Sequence, residues 1–142
     1  MGRLIAGIIV GVIAAFAAIW AIEMVHHMLY PIPASVTLND TAGLGEFTRT
    51  LPLASQLFIA FGWLVGSAVG GVVAARIARR DSAIFIVAGV VALAGLGNVL
   101  WLPHPLLLQI ASVAAPALGA LLARRLAGGR LAAQAPGTAE AQ

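Results

Sequence analysis

Between Leu53 and Ala75 the chain runs for about 23 residues without a charge and then meets Arg76, Arg79 and Arg80. At about 1.5 Å per residue, a helix of that length crosses a hydrocarbon core of about 30 Å, and no soluble core helix needs so long an unbroken apolar run. The stretch predicts a membrane-spanning helix whose inner end is marked by arginine, because cytoplasmic loops are enriched in Lys and Arg. Gly62, Gly66 and Gly70 recur every four residues along it, with Gly71 beside the last. They form a stripe that lets a second helix backbone come close, which is how helices associate in lipid.

The rest of the chain divides in the same manner. Arg3 precedes an apolar run that reaches Val25. A signal peptide with Ala15-Phe16-Ala17 as its cleavage site is one reading of it, but about 22 apolar residues match a span rather than a signal's short apolar region. Gly7 and Gly11 repeat the spacing of four near its inner end, a contact for the second span. Residues 26–52 are polar enough to leave the bilayer and start extended at Pro31 and Pro33. Asn39, Asp40 and Thr41 offer caps for a short helix toward Arg49, which Gly43 and Gly45 weaken to an interfacial turn or two. Ser82 to Leu102 is a third uncharged run, Pro103-His104-Pro105 forces a reversal, and a fourth span follows with Pro116 predicting a kink. From Ala127 the Gly, Ala, Gln and Pro composition predicts a disordered tail.

The expected fold class is therefore all-α, an integral membrane four-helix bundle over residues 1–126. Its spans cover about 4–25, 53–75, 82–102 and 105–123, arranged as two in-out-in hairpins with one sizeable outer loop. Composition agrees, since 61% of residues are hydrophobic and 9% charged, as in a chain whose solvent is lipid. A pI of about 11.2 suggests nucleic acid until the charges are counted. Eight basic and five acidic residues leave only +3, and the basic ones sit where topology alone puts them. Arg3, Arg76, Arg79, Arg80, Arg124, Arg125 and Arg130 fall on one side and Arg49 on the other. That asymmetry places both termini in the cytoplasm and disfavours dual topology. With no cysteine, the chain has no disulfide, thiolate metal site or Cys nucleophile. The partner implied is the lipid bilayer, with a second copy or another membrane protein as further candidates, and no nucleic acid.

The two hairpins also resemble each other. Pro31-Ile32-Pro33 matches Pro103-His104-Pro105, and the run from Gly71 to Arg76 matches that from Gly119 to Arg124. This is either a parallel repeat about an axis along the membrane normal or the convergence of hairpins that collect proline outside and arginine inside.

The polar residues of the spans gather toward the outer face. Glu23, His26 and His27 end the first span, Gln56 begins the second, Asn98 lies near the end of the third, and His104 and Gln109 flank the start of the fourth. Glu23 with His26 or His27 has the spacing by which one helix face offers two ligands to a metal ion. Together with His104 they form a candidate metal set of Glu23, His26, His27 and His104, suited to zinc, copper or iron. The alternative is that histidines near the headgroups simply meet water. Glu23 is the one carboxylate inside a span, where a charge costs up to about 2.5–3.5 kcal/mol at the bilayer centre, so it calls for a partner or a role. The sequence predicts that Glu23, Asn98, His104, Gln56 and Gln109 form a polar cluster. Trp101 and Tyr30 suit an interfacial aromatic belt, whereas Trp20 and Trp63 lie deeper, beside that cluster.

Glu23-x-x-His-His-x-x-Tyr-Pro-x-Pro, Gly97-Asn98 and Pro103-His104-Pro105 together resemble a group of small bacterial four-span inner-membrane proteins. The resemblance covers the four spans, implies the inner membrane and carries no activity. No Ser-His-Asp order, phosphate loop or dinucleotide fingerprint appears, so the functional expectation is a non-enzymatic membrane or accessory component. A small transporter or ion-conducting protein working through Glu23, and a metal-binding membrane protein, are the alternatives.

Overall fold

Hydrogen-bonded helix extends past the apolar boundaries at both ends of the first span and at the last residues of the second and fourth. In the computed structural model, which describes residues 1–34, 36 and 39–133, the elements are α1 (Gly2–Leu29), α2 (Thr41–Arg49), α3 (Leu53–Ala78), α4 (Ser82–Trp101) and α5 (Leu106–Ala133). The described chain is all-helical, and α1, α3, α4 and the Leu106–Gly128 part of α5 are long and apolar enough to cross a membrane. Residues 127–133, where the composition predicts a disordered tail, continue α5. The rest of that tail, 134–142, lies outside the described residues.

The central element is α3, which packs on α1, α4 and α5, while α1 and α5 do not touch among the described residues. Its glycines explain how α1 comes so close. A Cβ on Gly70 would stand 2.5 Å from the Gly11 carbonyl oxygen, and a Cβ on Gly11 would stand 2.7 Å from that of Gly70. Gly66 faces Ala15 and Ile19, Gly62 faces Ile22, and Gly7 meets Ala74 and Ala78. Small residues on both helices thus let two antiparallel backbones meet along four turns, the geometry that dispersion needs when water supplies no hydrophobic drive.

The other face of α3 meets α5, which runs parallel to it. Gly71 packs on Ala123, and Gly119 packs on Ser67 and Ala68. A two-fold repeat along the bundle would set Gly71 and Gly119 at one level, but the contacts are shifted by about one helical turn, about 5.4 Å. Pro116 sits fully buried inside α5, where its missing N–H frees the carbonyl of Ser112. Gly95 of α4 lies against that carbonyl, its Cβ position 3.3 Å from the oxygen.

Arg3, Arg76, Arg79, Arg80, Arg124 and Arg125 collect at one end of the bundle, where α1 starts and α3 ends. Arg79 closes α3 in the left-handed conformation, φ 55 and ψ 36, and its N–H donates to the Ala75 carbonyl at 2.7 Å. This tight cap lets α4 start at Ser82. Asp81 in the turn lies 3.6 Å from Arg124 of α5, an exposed pair. The opposite end carries the histidines and α2.

Candidate functional site

At the histidine end, two cavities meet at Glu23 of α1 and Asn98 of α4. The first, about 150 Å³, lies under α2. Its walls include Glu23, His26, His27, Tyr30, Asn98 and His104, so the acidic residue, all three histidines and the asparagine border one space. The second, about 350 Å³, lies between α1 and α4 with Phe16, Trp20, Trp63, Glu23 and Asn98 in its walls. Phe16 and Trp20 are exposed at its rim and Trp63 is buried at its floor, so it opens on the side of the bundle.

The cover is a helix that glycine content made look weak. Asp40 caps α2, its carboxylate accepting from the N–H groups of Ala42 at 3.1 Å and Gly43 at 3.0 Å. Leu44, Phe47 and Leu51 turn toward the cavity. The one Thr48 hydroxyl proton is shared among the Leu44 and Gly45 carbonyls of its own helix, each at 2.9 Å, and the Pro103 carbonyl at 3.0 Å, and Gly45 is pressed against the Pro103 ring. So α2 rests on the reversal between α4 and α5, held by one shared hydrogen bond and one glycine contact.

The site residues do not all serve one purpose. His26 is buried, and its Nε2 shares a hydrogen bond of 2.7 Å with the Ser55 hydroxyl at the start of α3. Its ring stacks on Tyr30 at 5.2 Å between centroids, with Phe58 and His27 around it. His104 Nδ1–H donates to the Leu102 carbonyl at 2.7 Å, because a carbonyl can only accept, which leaves Nε2 unused by that bond. Gln56 and Gln109 stand outside both cavities. Gln56 Nε2 donates to the Leu51 carbonyl at 2.8 Å and Gln109 Nε2 to the His104 carbonyl at 2.8 Å, so each satisfies the backbone beside a proline-started helix. They leave the polar cluster, and their reach is local because the nearest orphan carbonyl is five residues back.

Glu23, His26, His27 and His104 border one cavity, yet among the described residues no three His, Cys, Asp or Glu side chains stand together as a metal-holding group. The helix spacing explains part of this. Successive positions 26 and 27 point about 100° apart on an α-helix, so His26 turns inward to Ser55 while His27 stays exposed. Glu23 is half-buried and takes part in no salt bridge among the described residues.

Ser55 is a site residue that the sequence reading misses. A serine two residues into an apolar run looks like ordinary span composition, and only the proximity of α1 gives it a histidine. The pair is a clasp rather than a nucleophile and base, because Ser55 is fully buried and lines neither cavity. Comparisons with protein families, curated proteins and solved structures return no match.

Proposed function

We infer that the chain is a non-enzymatic, multi-pass component of a bacterial inner membrane, with both termini in the cytoplasm and a small-ligand site facing outward at the histidine end. One observation carries the reading. Glu23 and Asn98, from two different helices, border both cavities and so stand where a molecule in either would meet a carboxylate and an amide. A carboxylate inside a span is costly, which favours a role for it over an accident of composition. Binding is favoured over catalysis because the hydroxyl paired with a histidine is sealed from both cavities. The exposed apolar side chains around the bundle, such as Ile13, Leu93 and Leu100, are covered by lipid.

Cysteine chemistry tests this, since the chain has no thiol of its own. In intact cells Asn98→Cys reacts with a water-soluble, membrane-impermeant thiol reagent, whereas Ile84→Cys, buried near the arginine end, does not. An Asn98→Cys that stays unlabelled in folded protein rules out an outward, water-filled site.

A transport reading draws on the same junction, because two cavities sharing one acidic group form the outer part of a route. Ion uptake into proteoliposomes that disappears in Glu23→Gln supports it. The inner half of the bundle favours binding instead, being closed by alanine and glycine contacts such as Gly70 on Gly11 and Gly71 on Ala123.

A further inference from the structure

We propose that the cavity between α1 and α4 binds a lipophilic organic cation, held by the Glu23 carboxylate and the aromatic faces of Phe16, Trp20 and Trp63. This rests on the reading of the histidine end as a ligand site and names the chemistry of its ligand. Four observations converge on it.

The first is charge. Glu23 is the one ionisable side chain in this cavity's wall, and no arginine, lysine or histidine borders it. The histidines stand in the neighbouring cavity, beyond Glu23. A carboxylate so placed, and in no salt bridge among the described residues, is complementary to a cation and repels an anion.

The second is the kind of cation. Calcium and magnesium need about six or more oxygen ligands, and the wall offers the side-chain oxygens of only Glu23 and Asn98. What it offers instead is aromatic surface, two indoles and a phenyl, which attract a positive charge over their faces and favour a weakly hydrated ion.

The third is size and access. A volume of about 350 Å³ lies at the lower end of drug-sized sites, far beyond what a bare ion fills. Trp20 at the rim is 65% exposed and Trp63 at the floor 6%, so one indole is free to close on a guest while the other is fixed. The opening faces the side of a bundle whose surface meets lipid, the phase from which a lipophilic ion arrives.

The fourth is the packing. Of the helix pairs that touch, α1 and α4 touch least, and no glycine of α4 approaches α1. The gap is therefore built into the bundle by the close α1–α3 contact, which draws α1 away from α4.

Tryptophan fluorescence of the purified full chain in mild detergent tests the proposal with tetraphenylphosphonium and tetraphenylborate, ions of the same shape and opposite charge. The phosphonium ion quenches saturably, beyond a detergent-only blank, and binds about tenfold or more tighter than the borate; Glu23→Gln removes that preference and Glu23→Asp retains it. Equal binding of the two ions, or an unchanged preference in a folded Glu23→Gln, overturns the proposal. The comparison of the two ions needs no variant, so it decides even if Glu23→Gln does not fold. Trp20→Leu, a change on an exposed side chain, weakens the phosphonium ion several-fold, and an unchanged affinity counts against the aromatic contact. The two readings separate. Labelling at position 98 without a cation preference sinks this proposal alone, and a cation preference without labelling sinks the outward-facing site alone.

Discussion

His26 Nε2 and the Ser55 hydroxyl lie 2.7 Å apart inside the bundle and tie the last turns of α1 to the first turn of α3. The two residues are separated by the whole outer loop, so the bond fastens the first hairpin at its loop end. Ser55→Ala leaves a buried imidazole nitrogen without a partner. Orphaned buried groups cost about 1–3 kcal/mol, and hydrogen bonds between membrane helices average about 0.6 kcal/mol, so the expected loss is about 1 kcal/mol. Reversible unfolding in mixed micelles measures it, and a Ser55→Ala variant as stable as the parent shows that the bond contributes nothing.

The approach of Gly11 to Gly70 sets a second expectation. Each backbone carbonyl occupies the space where the other's side chain would begin, and a carbonyl in a helix cannot swing aside. Gly70→Val and Gly11→Val force α1 and α3 apart and cost about 1–3 kcal/mol or more each. Gly89 of α4 is the control, since a Cβ there meets nothing within 4 Å, and Gly89→Ala changes stability by no more than about 0.5 kcal/mol. The same unfolding assay reads all three. Equal effects at positions 70 and 89 mean that the glycine contact is not what joins the helices.

How much of this the sequence disclosed depends on the kind of constraint. The four long helices are legible because bilayer thickness fixes a length, and a glycine spacing of four is legible because it marks one helix face. The ends are not, since His26, His27 and residues 127–133 stop the apolar run without stopping the hydrogen-bonded helix. The strength of α2 is obscured because Gly45 counts against a helix by propensity, while in space it is what lets the helix lie on Pro103. The polar cluster is half legible. Polarity singles out Glu23, Asn98, His104, Gln56 and Gln109 alike, but whether a side chain faces a cavity or serves a nearby carbonyl depends on local backbone, and Gln56 and Gln109 serve carbonyls.

Sidedness follows from charge. The arginine end belongs to the cytoplasm if basic residues set orientation, which leaves α2 outside. In intact cells Thr41→Cys is labelled by an impermeant maleimide, and Ser82→Cys only after permeabilisation. The reverse pattern inverts the protein in the membrane. Labelling of both from one side breaks the two-hairpin arrangement itself.

The helix α2 is positioned to control entry to the cavity beneath it, and its attachment is slight enough to test. Leu44, Phe47 and Leu51 face the cavity, while Glu46 and Arg49 are exposed on the other side. The anchor is at Pro103, where a Cβ on Gly45 would lie 2.7 Å from Cγ and 3.0 Å from Cδ of the ring. A proline ring has no rotamer by which to move away, so Gly45→Val lifts α2 instead. Thr48→Val removes one hydroxyl proton already shared with the Leu44 and Gly45 carbonyls, and water replaces it at the exposed Pro103 carbonyl at a cost below about 1 kcal/mol. Labelling by the impermeant thiol reagent of Ile59→Cys, half-buried and lining only the cavity beneath α2, therefore accelerates several-fold when Gly45→Val is added and less than about twofold when Thr48→Val is added. The ordering of the two is the informative part. If Gly45→Val leaves the labelling rate unchanged in folded protein, α2 lies beside the cavity without closing it, and the route to Glu23 runs through the gap between α1 and α4.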